Sequence, residues 1–391
     1  MILNQTHLFL MPDYYQQFTC KMGDCRAACC EGWPISFSLQ DYHHLIGVEC
    51  STDLRRKLDC AMHIKLHPTP EAYAEIAPRY DGNCPMRLED GRCGLQAELG
   101  EEALSYVCRL YPRGIRTDGD RECSCANSCE AVLEMLFERD EPIEFESHEM
   151  TFDLPQTAAR SVHFETLGRG QQIRLWLIRQ MQQQALPLPQ RLMATGHGLW
   201  AMEEALKAKD VEKVERLLQG KQRIVPLRPQ ELAQGHLDFG LEVARGMLKL
   251  LDERSVSIRS YGEAALEYFG SGVGSFERYA RARAHFESAL PKWDIWFEHM
   301  LVNHMFFSGF PFQDRPESLR DEFVALCAVY ALLRFLSIGW LWDKADRDSF
   351  VDVAAAVFRL VDHTAFDCYA AHMLKDLGCT DWERVHDLIS L

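Results

Sequence analysis

The chain has 391 residues, is 47% hydrophobic and carries a formal net charge of −16. That length can bury a large core without covalent staples and suggests two or three domains. The charge argues against general nucleic-acid binding, which needs surplus Lys and Arg to neutralise phosphates.

The opening Met1 to His7 has no basic run, and the apolar stretch after it is cut off at Met11-Pro12-Asp13, so no secretory signal is expected. No run of about 18 apolar residues is apparent, so no membrane span is expected either. Short helices are expected at 38–47, 52–63, 98–110 and 126–139. Turn signals stand between them at Asp81-Gly82-Asn83, Glu89-Asp90-Gly91 and Thr117-Asp118-Gly119-Asp120. The stretch around 140–160, with Pro142 and Pro155, reads as a connector. It places a boundary between a domain at 1–150 and a second at 151–391.

Beyond the connector the apolar period turns helical. Helices are expected at 171–184, at 199–218 as two pieces broken near Lys209-Asp210, and at 229–251, 275–289, 293–307, 319–342, 349–360 and 381–388. The run Gly270-Ser271-Gly272-Val273-Gly274 superficially resembles a nucleotide-binding glycine loop. The helical look of residues 263–268 and the absence of βαβ alternation make it an interhelical turn, with Ser275 as the next N-cap. The fold class is therefore mainly α: a cysteine-rich N-terminal domain of short helices and loops, then an all-α domain.

The cysteines carry the chemistry. Twelve of fifteen fall before residue 130: Cys20-x4-Cys25-x3-Cys29-Cys30, Cys84-x8-Cys93-x14-Cys108 and Cys123-x-Cys125-x3-Cys129, with Cys50 and Cys60 between. A disulfide framework suits small secreted domains that lack a core, which this chain is not. A reducing cytoplasm is the expected compartment, and a soft-metal or iron–sulfur site the expected use. Cys25 and Cys29, like Cys125 and Cys129, would share a helical face. Four thiolates suit zinc and a cubane (4Fe-4S) cluster equally. The Cys-x3-Cys-x2-Cys triplet of radical S-adenosylmethionine enzymes is absent, since Gly32 and Val132 stand where its third cysteine belongs. Cys50 and Cys60 read as buried small hydrophobes.

The aromatic run from Trp293 to Phe312 reads first as a core helix. A sharper reading has Glu298, Asn303 and His304 lining an aromatic pocket for a cation or cofactor.

These residues carry a resemblance. Phe18-Thr-Cys20, Cys25-x3-Cys29-Cys30-Glu-Gly-Trp33, Cys84-Pro85-Met-Arg-Leu88-x-Asp90-Gly91-x-Cys93 and Val107-Cys108-Arg109-x-Tyr111-Pro112-Arg113 resemble the cysteine-rich core of flagellin lysine-N-methylases. That core is similar in turn to a broader group of zinc- or iron-chelating cysteine proteins. Trp296-Phe-Glu298 and Asn303 through Phe312 resemble the same methylases. The resemblance implies a protein-lysine N-methyltransferase that acts on the ε-amines of flagellin, with S-adenosylmethionine as donor and an iron–sulfur cluster. Zinc is the alternative metal. The implied ligand candidates are Cys20, Cys25, Cys29, Cys30, Cys84, Cys93, Cys108, Cys125 and Cys129, a set larger than one cubane needs. Tyr80, Asp81, Tyr106 and Tyr111 lie near thiols in sequence as groups able to orient or deprotonate an amine. The competing reading is an iron–sulfur or zinc-binding electron-transfer or adaptor protein without methyltransferase activity.

Overall fold

The computed structural model describes residues 6–26, 29–31, 34–117, 119–152, 164–220, 234–251, 256–313, 318–379 and 381–390. Strand pairing across long sequence distances, which local pattern does not reveal, organises the first 150 residues. Strand β1 (His7–Pro12) runs parallel to β6 (Glu122–Cys125), with Leu10 opposite Glu122. On its other side β1 pairs antiparallel with β7 (Phe145–Met150). β5 (Arg113–Arg116) completes the order β5-β6-β1-β7. The expected connector thus contains an edge strand at 145–150, and residues 153–163 of it lie outside the described residues.

A second, three-stranded sheet has β4 (Ala74–Ile76) between β2 (Ile35–Phe37) and β3 (Met62–Ile64). Two helices stand beside it. α1 (Leu39–Gly47) starts in a capping box between Ser38 and Asp41, and Ser51 caps α2 (Thr52–Ala61). The expected helix at 98–110 is instead α3 (Gly94–Leu99), a 3-10 turn and α4 (Tyr106–Leu110). Gly100 separates them with φ +85°, which a side chain would resist. α5 (Glu130–Glu138) starts later than the expected residue 126, because Asn127 and Ser128 form a turn whose side chains bond elsewhere.

The helical part follows the sequence pattern closely. It comprises α6 (Gly170–Met181), α7 (Leu188–Lys207), α8 (Val211–Gln219), α9 (Gln234–Leu251), α10 (Val256–Phe269) and α11 (Ser275–Ala289). α12 (Trp293–Ser308), α13 (Leu319–Trp340), α14 (Arg347–Val361), α15 (Phe366–Asp376) and α16 (Trp382–Ile389) complete it. The break at Lys209-Asp210 is present: Lys209 takes φ +52° and the Asp210 carboxylate accepts from Lys213 N–H. The helix before it begins at Leu188, eleven residues earlier than expected, with Pro189 in the first turn where no amide is missed. Residues 229–233 of the expected helix at 229–251 lie outside the described residues.

The glycine run is an interhelical turn, with Gly270, Gly272 and Gly274 all at positive φ. Gly274 rather than Ser275 is the N-cap, and the Ser275 hydroxyl donates back to Gly272 O. The expected absence of a spanning apolar stretch is corrected by α13, which is long and apolar enough to cross a membrane. Its apolar surface is instead core, with 89% of the apolar window buried inside the protein.

Two buried clusters result. The larger joins Phe9, Met11, Tyr14 and Leu133 to Phe297, Leu333 and Phe358, so it spans both sides of residue 150. The smaller gathers Phe37, Leu45, Leu58, Ile76, Met86 and Leu95, with Cys84 among them. Each such Leu or Phe contributes about 1.5–3 kcal/mol of burial. The smaller cluster forms a lobe of its own.

Candidate functional site

Backbone contacts bring the first two cysteine groups together. Cys84 N–H donates to Cys30 O at 2.9 Å, and Glu31 bridges to Asn83 beside it. Gly23 and Gly91 meet backbone to backbone: a Cβ on Gly91 would lie 2.4 Å from Gly23 O. Both take positive φ, so only glycine fits this joint between the Cys20–Cys25 loop and the turn that leads to Cys93.

Cys29, Cys30 and Cys84 form a hydrogen-bonded trio of sulfurs. The Cys29 thiol, then the Cys84 thiol, donates to Cys30, and the Arg87 guanidinium adds its charge, which pulls Cys30 down to about 3. The hydrogen bond to Cys30 and burial push Cys29 and Cys84 up. Cys93, at the N-cap of α3, and Cys108, on α4, complete this neighbourhood, and burial raises both. Cys108 reaches about 11.

A second neighbourhood holds Cys20, Cys25 and Cys129. Burial and then the Glu130 carboxylate raise Cys25 to about 11. Cys129 caps α5, and burial raises it to about 12 with Cys25 and Cys20 nearby. Cys125 is fully buried at the end of β6, and its carbonyl accepts from Asn303 at 2.8 Å. The shared helical faces are not formed: Cys25 and Cys29 lie in loop and turn, and Cys125 and Cys129 straddle a strand end and a helix cap. Of the two cysteines expected to be buried hydrophobes, Cys50 is half-buried and Cys60 is exposed.

Among the described residues, no three His, Cys, Asp or Glu side chains are set around one point as a metal shell. The donor chemistry does suit a thiolate-bound group. Cys29, Cys30 and Cys84 already share contacts, Cys93 and Cys108 stand beside them, and all fifteen cysteines are free of disulfides.

The helical half closes over the thiol loops. Lys21 pairs with Glu130 at 2.6 Å and Glu134 at 3.1 Å on α5. Arg26, one residue past Cys25, bonds Asp352 on α14 at 2.8 Å. Behind these ion pairs runs a polar chain: Tyr111 O–H donates to Ser128 Oγ at 3.0 Å, and Ser128 Oγ lies 2.8 Å from His363 Nε2. Burial, then the nearby Cys129 sulfur, pushes the Tyr111 hydroxyl well up. Burial lowers His363, so its ring is neutral near pH 7.

Of the four sequence candidates near thiols, only Tyr111 takes part in this arrangement. Tyr80 projects into solvent, Asp81 pairs with Arg79, and Tyr106 begins α4, where its N–H donates to Asp41. Ser128, His363 and Asp352 were not singled out from sequence. They come from two turns and from α14, with Ser128 and His363 235 residues apart, and only the position of Ser128 beside Cys129 gave any signal.

The expected pocket at Glu298, Asn303 and His304 is not formed by those groups, since all three are buried and engaged in the core. Glu298 pairs with Arg191 in a close buried contact. Asn303 accepts from Tyr14 and donates to Asn127 Oδ1 at 2.7 Å. His304 Nδ1 bonds Asp362 at 2.8 Å.

Residues 174–386 match the family described as the FliB lysine N-methylase C-terminal domain. Over 108 residues the chain is 32% identical to a lysine-N-methylase of Salmonella choleraesuis, covering 27% of this chain and 26% of that protein. A lysine-N-methylase of Salmonella typhimurium is 29% identical over 106 residues, with the same coverage. A flagellar biosynthetic protein FliU of Salmonella muenchen is 28% identical over 106 residues, which is 62% of its length. The aligned segment thus spans about a quarter of the two methylases. No solved structure matches. With more than half its length inside the family match, this chain belongs to the FliB lysine N-methylase family.

Proposed function

We propose that this protein transfers methyl groups from S-adenosylmethionine to lysine ε-amines of flagellin. The observation that carries the reading is the family match over 174–386, the part that supplies Asp352 and His363 to the thiol-facing side. The relatives' names, lysine-N-methylase and flagellar biosynthetic protein, support the activity and the substrate.

The chemistry needs a neutral amine, although a free lysine has a pKa of about 10.4. The nitrogen lone pair forms the N–C bond as the methyl C–S bond breaks. That electron pair stays on sulfur, leaving a neutral thioether, and the new ammonium loses a proton. The neutral His363 ring, bonded to Ser128 and through it to Tyr111, is the group proposed to take that proton. Ser128 beneath the ring is buried, while His363 itself lies exposed in the turn after α14, within reach of an incoming side chain.

We further propose that Cys29, Cys30 and Cys84, with Cys93 or Cys108, bind an iron–sulfur cluster. When bound, it would supply a fixed anionic centre that ties the Cys29–Cys30 turn to the 84–108 segment. Cys20, Cys25 and Cys129 form the reserve set, while Cys125 serves the core.

The test is methyl transfer from labelled S-adenosylmethionine to purified flagellin by protein prepared without oxygen. Label on flagellin lysines is expected, and it should fall at least about tenfold in His363→Gln. Iron-loaded protein that neither binds S-adenosylmethionine nor labels flagellin would overturn the reading in favour of an electron-transfer or adaptor role.

A further inference from the structure

A lysine of the chain itself rests on an aromatic face beside the proposed site. Trp340 ends α13, and the chain turns so that Lys344 Nζ lies 3.4 Å from the centre of its ring. Lys344 is exposed and has no carboxylate partner among the described residues. Its ammonium is held there by the negative face of the indole rather than by an ion pair.

The face belongs to a larger arrangement. Tyr261 of α10 packs against Trp340 with ring centres 4.9 Å apart. Burial and then the charge of Asp352 raise the Tyr261 hydroxyl, with Glu31 also near. Asp352 holds Arg26, the residue after Cys25, and Glu31 is the residue after Cys30. Tyr261, against the Trp340 face, thus lies within electrostatic reach of Asp352 and Glu31.

We propose that the Trp340 face, walled by Tyr261, is the seat for the ε-ammonium of an incoming lysine, and that Lys344 occupies it as an internal stand-in. This rests on the lysine-methylation reading and adds where the substrate is held. Aromatic holding has a chemical merit here. Lysine and its mono-, di- and trimethylated forms all remain cations, but each added methyl removes an N–H donor. A carboxylate site loses hydrogen bonds along that series, whereas the indole face does not. The seat thus accepts the substrate and its successive products alike. Proton loss belongs to a later position, at the Tyr111–Ser128–His363 chain.

The test is calorimetric titration of the full chain with two capped tripeptides. One carries trimethyl-lysine, and the other carries its neutral isostere with carbon in place of the nitrogen. The cationic peptide should bind roughly tenfold more tightly. Trp340→Ala should remove that preference, Trp340→Phe should keep part of it, and Lys344→Ala should tighten binding by clearing the seat. Equal binding of the two peptides to the parent protein would overturn the proposal. So would an undiminished preference in Trp340→Ala. Flagellin methylation by the parent protein is measured separately. Cation-selective binding without methyl transfer would sustain the seat and sink the methylase reading. Methyl transfer with an unchanged KM in Trp340→Ala would do the reverse.

Discussion

The thiol lobe and the helical half hold their polar groups in opposite ways. In the helical half, buried charges are matched within the core: Glu298 with Arg191, Glu122 with Arg174, His304 with Asp362. In the lobe, the sulfurs of Cys30 and Cys84 lie together among part-buried polar groups such as Arg87 with Asn83 and Ser38 with Asp41. The contrast teaches that the large core provides rigidity, while the lobe gathers free thiols around a small apolar cluster.

The largest expected effect comes from emptying this nest of thiols. Cys30→Ser and Cys84→Ser proteins, prepared without oxygen, should lose most of their iron and visible absorbance. Cys60→Ser should retain both, since Cys60 lies on α2 outside the nest. Parent protein would carry about four irons and four sulfides. Unchanged metal content in both nest variants would remove the distinction between donor lobe and structural core.

Next comes the core. Glu298→Ala leaves the Arg191 guanidinium buried without its carboxylate and should cost about 3–5 kcal/mol in denaturant unfolding. A loss below about 1 kcal/mol would show that water reaches Arg191. Gly196→Ala is smaller: its Cβ would meet the Phe323 ring at 2.4 Å, for a cost of about 1–3 kcal/mol.

His304 gives a pH signature. Burial disfavours its charged form, but the hydrogen bond and charge of Asp362 outweigh this, so its folded pKa is raised. The resulting stability is fully present below the unfolded value of about 6.5 and is lost as pH rises through the folded one. Stability of His304→Gln should therefore fall less between pH 6 and pH 9 than that of the parent. Parallel curves would show that the ring is neutral throughout. At the lower end, Tyr80→Ala should stay within about 0.5 kcal/mol of the parent, because Tyr80 is wholly exposed.

Most of the helical half was legible because its helices announce themselves locally. α8 shows its cap at Asp210, and α14 shows an apolar face through Val353 and Val357. α15 and most of α10 were missed, and α7 was cut short: it starts at Leu188, with Pro187 as its N-cap and Pro189 in the first turn. The strands were illegible for a different reason: β1 finds β6 more than a hundred residues away, and nothing in His7–Pro12 names that partner. The site divides the same way. Crowded cysteines are visible in sequence, and Tyr111 is visible beside them. Ser128, His363, Asp352 and Trp340 gain meaning only when α13 and α14 fold back onto the thiol loops.

The Cys20–Cys25 loop has two fastenings of unlike kind. Gly23 is locked against Gly91 by close backbone contact, which neither salt nor pH alters. Lys21 is tied to the buried Glu130 and the part-buried Glu134 of α5, and Arg26 to the half-buried Asp352 of α14, by ion pairs. Such pairs weaken as the Debye length shrinks from about 10 Å at 0.1 M salt to about 3 Å at 1 M. The loop therefore behaves as a door, hinged on the lobe by glycine and latched to the helices by charge. Ionic strength is the handle, and it works the latch without disturbing the hinge.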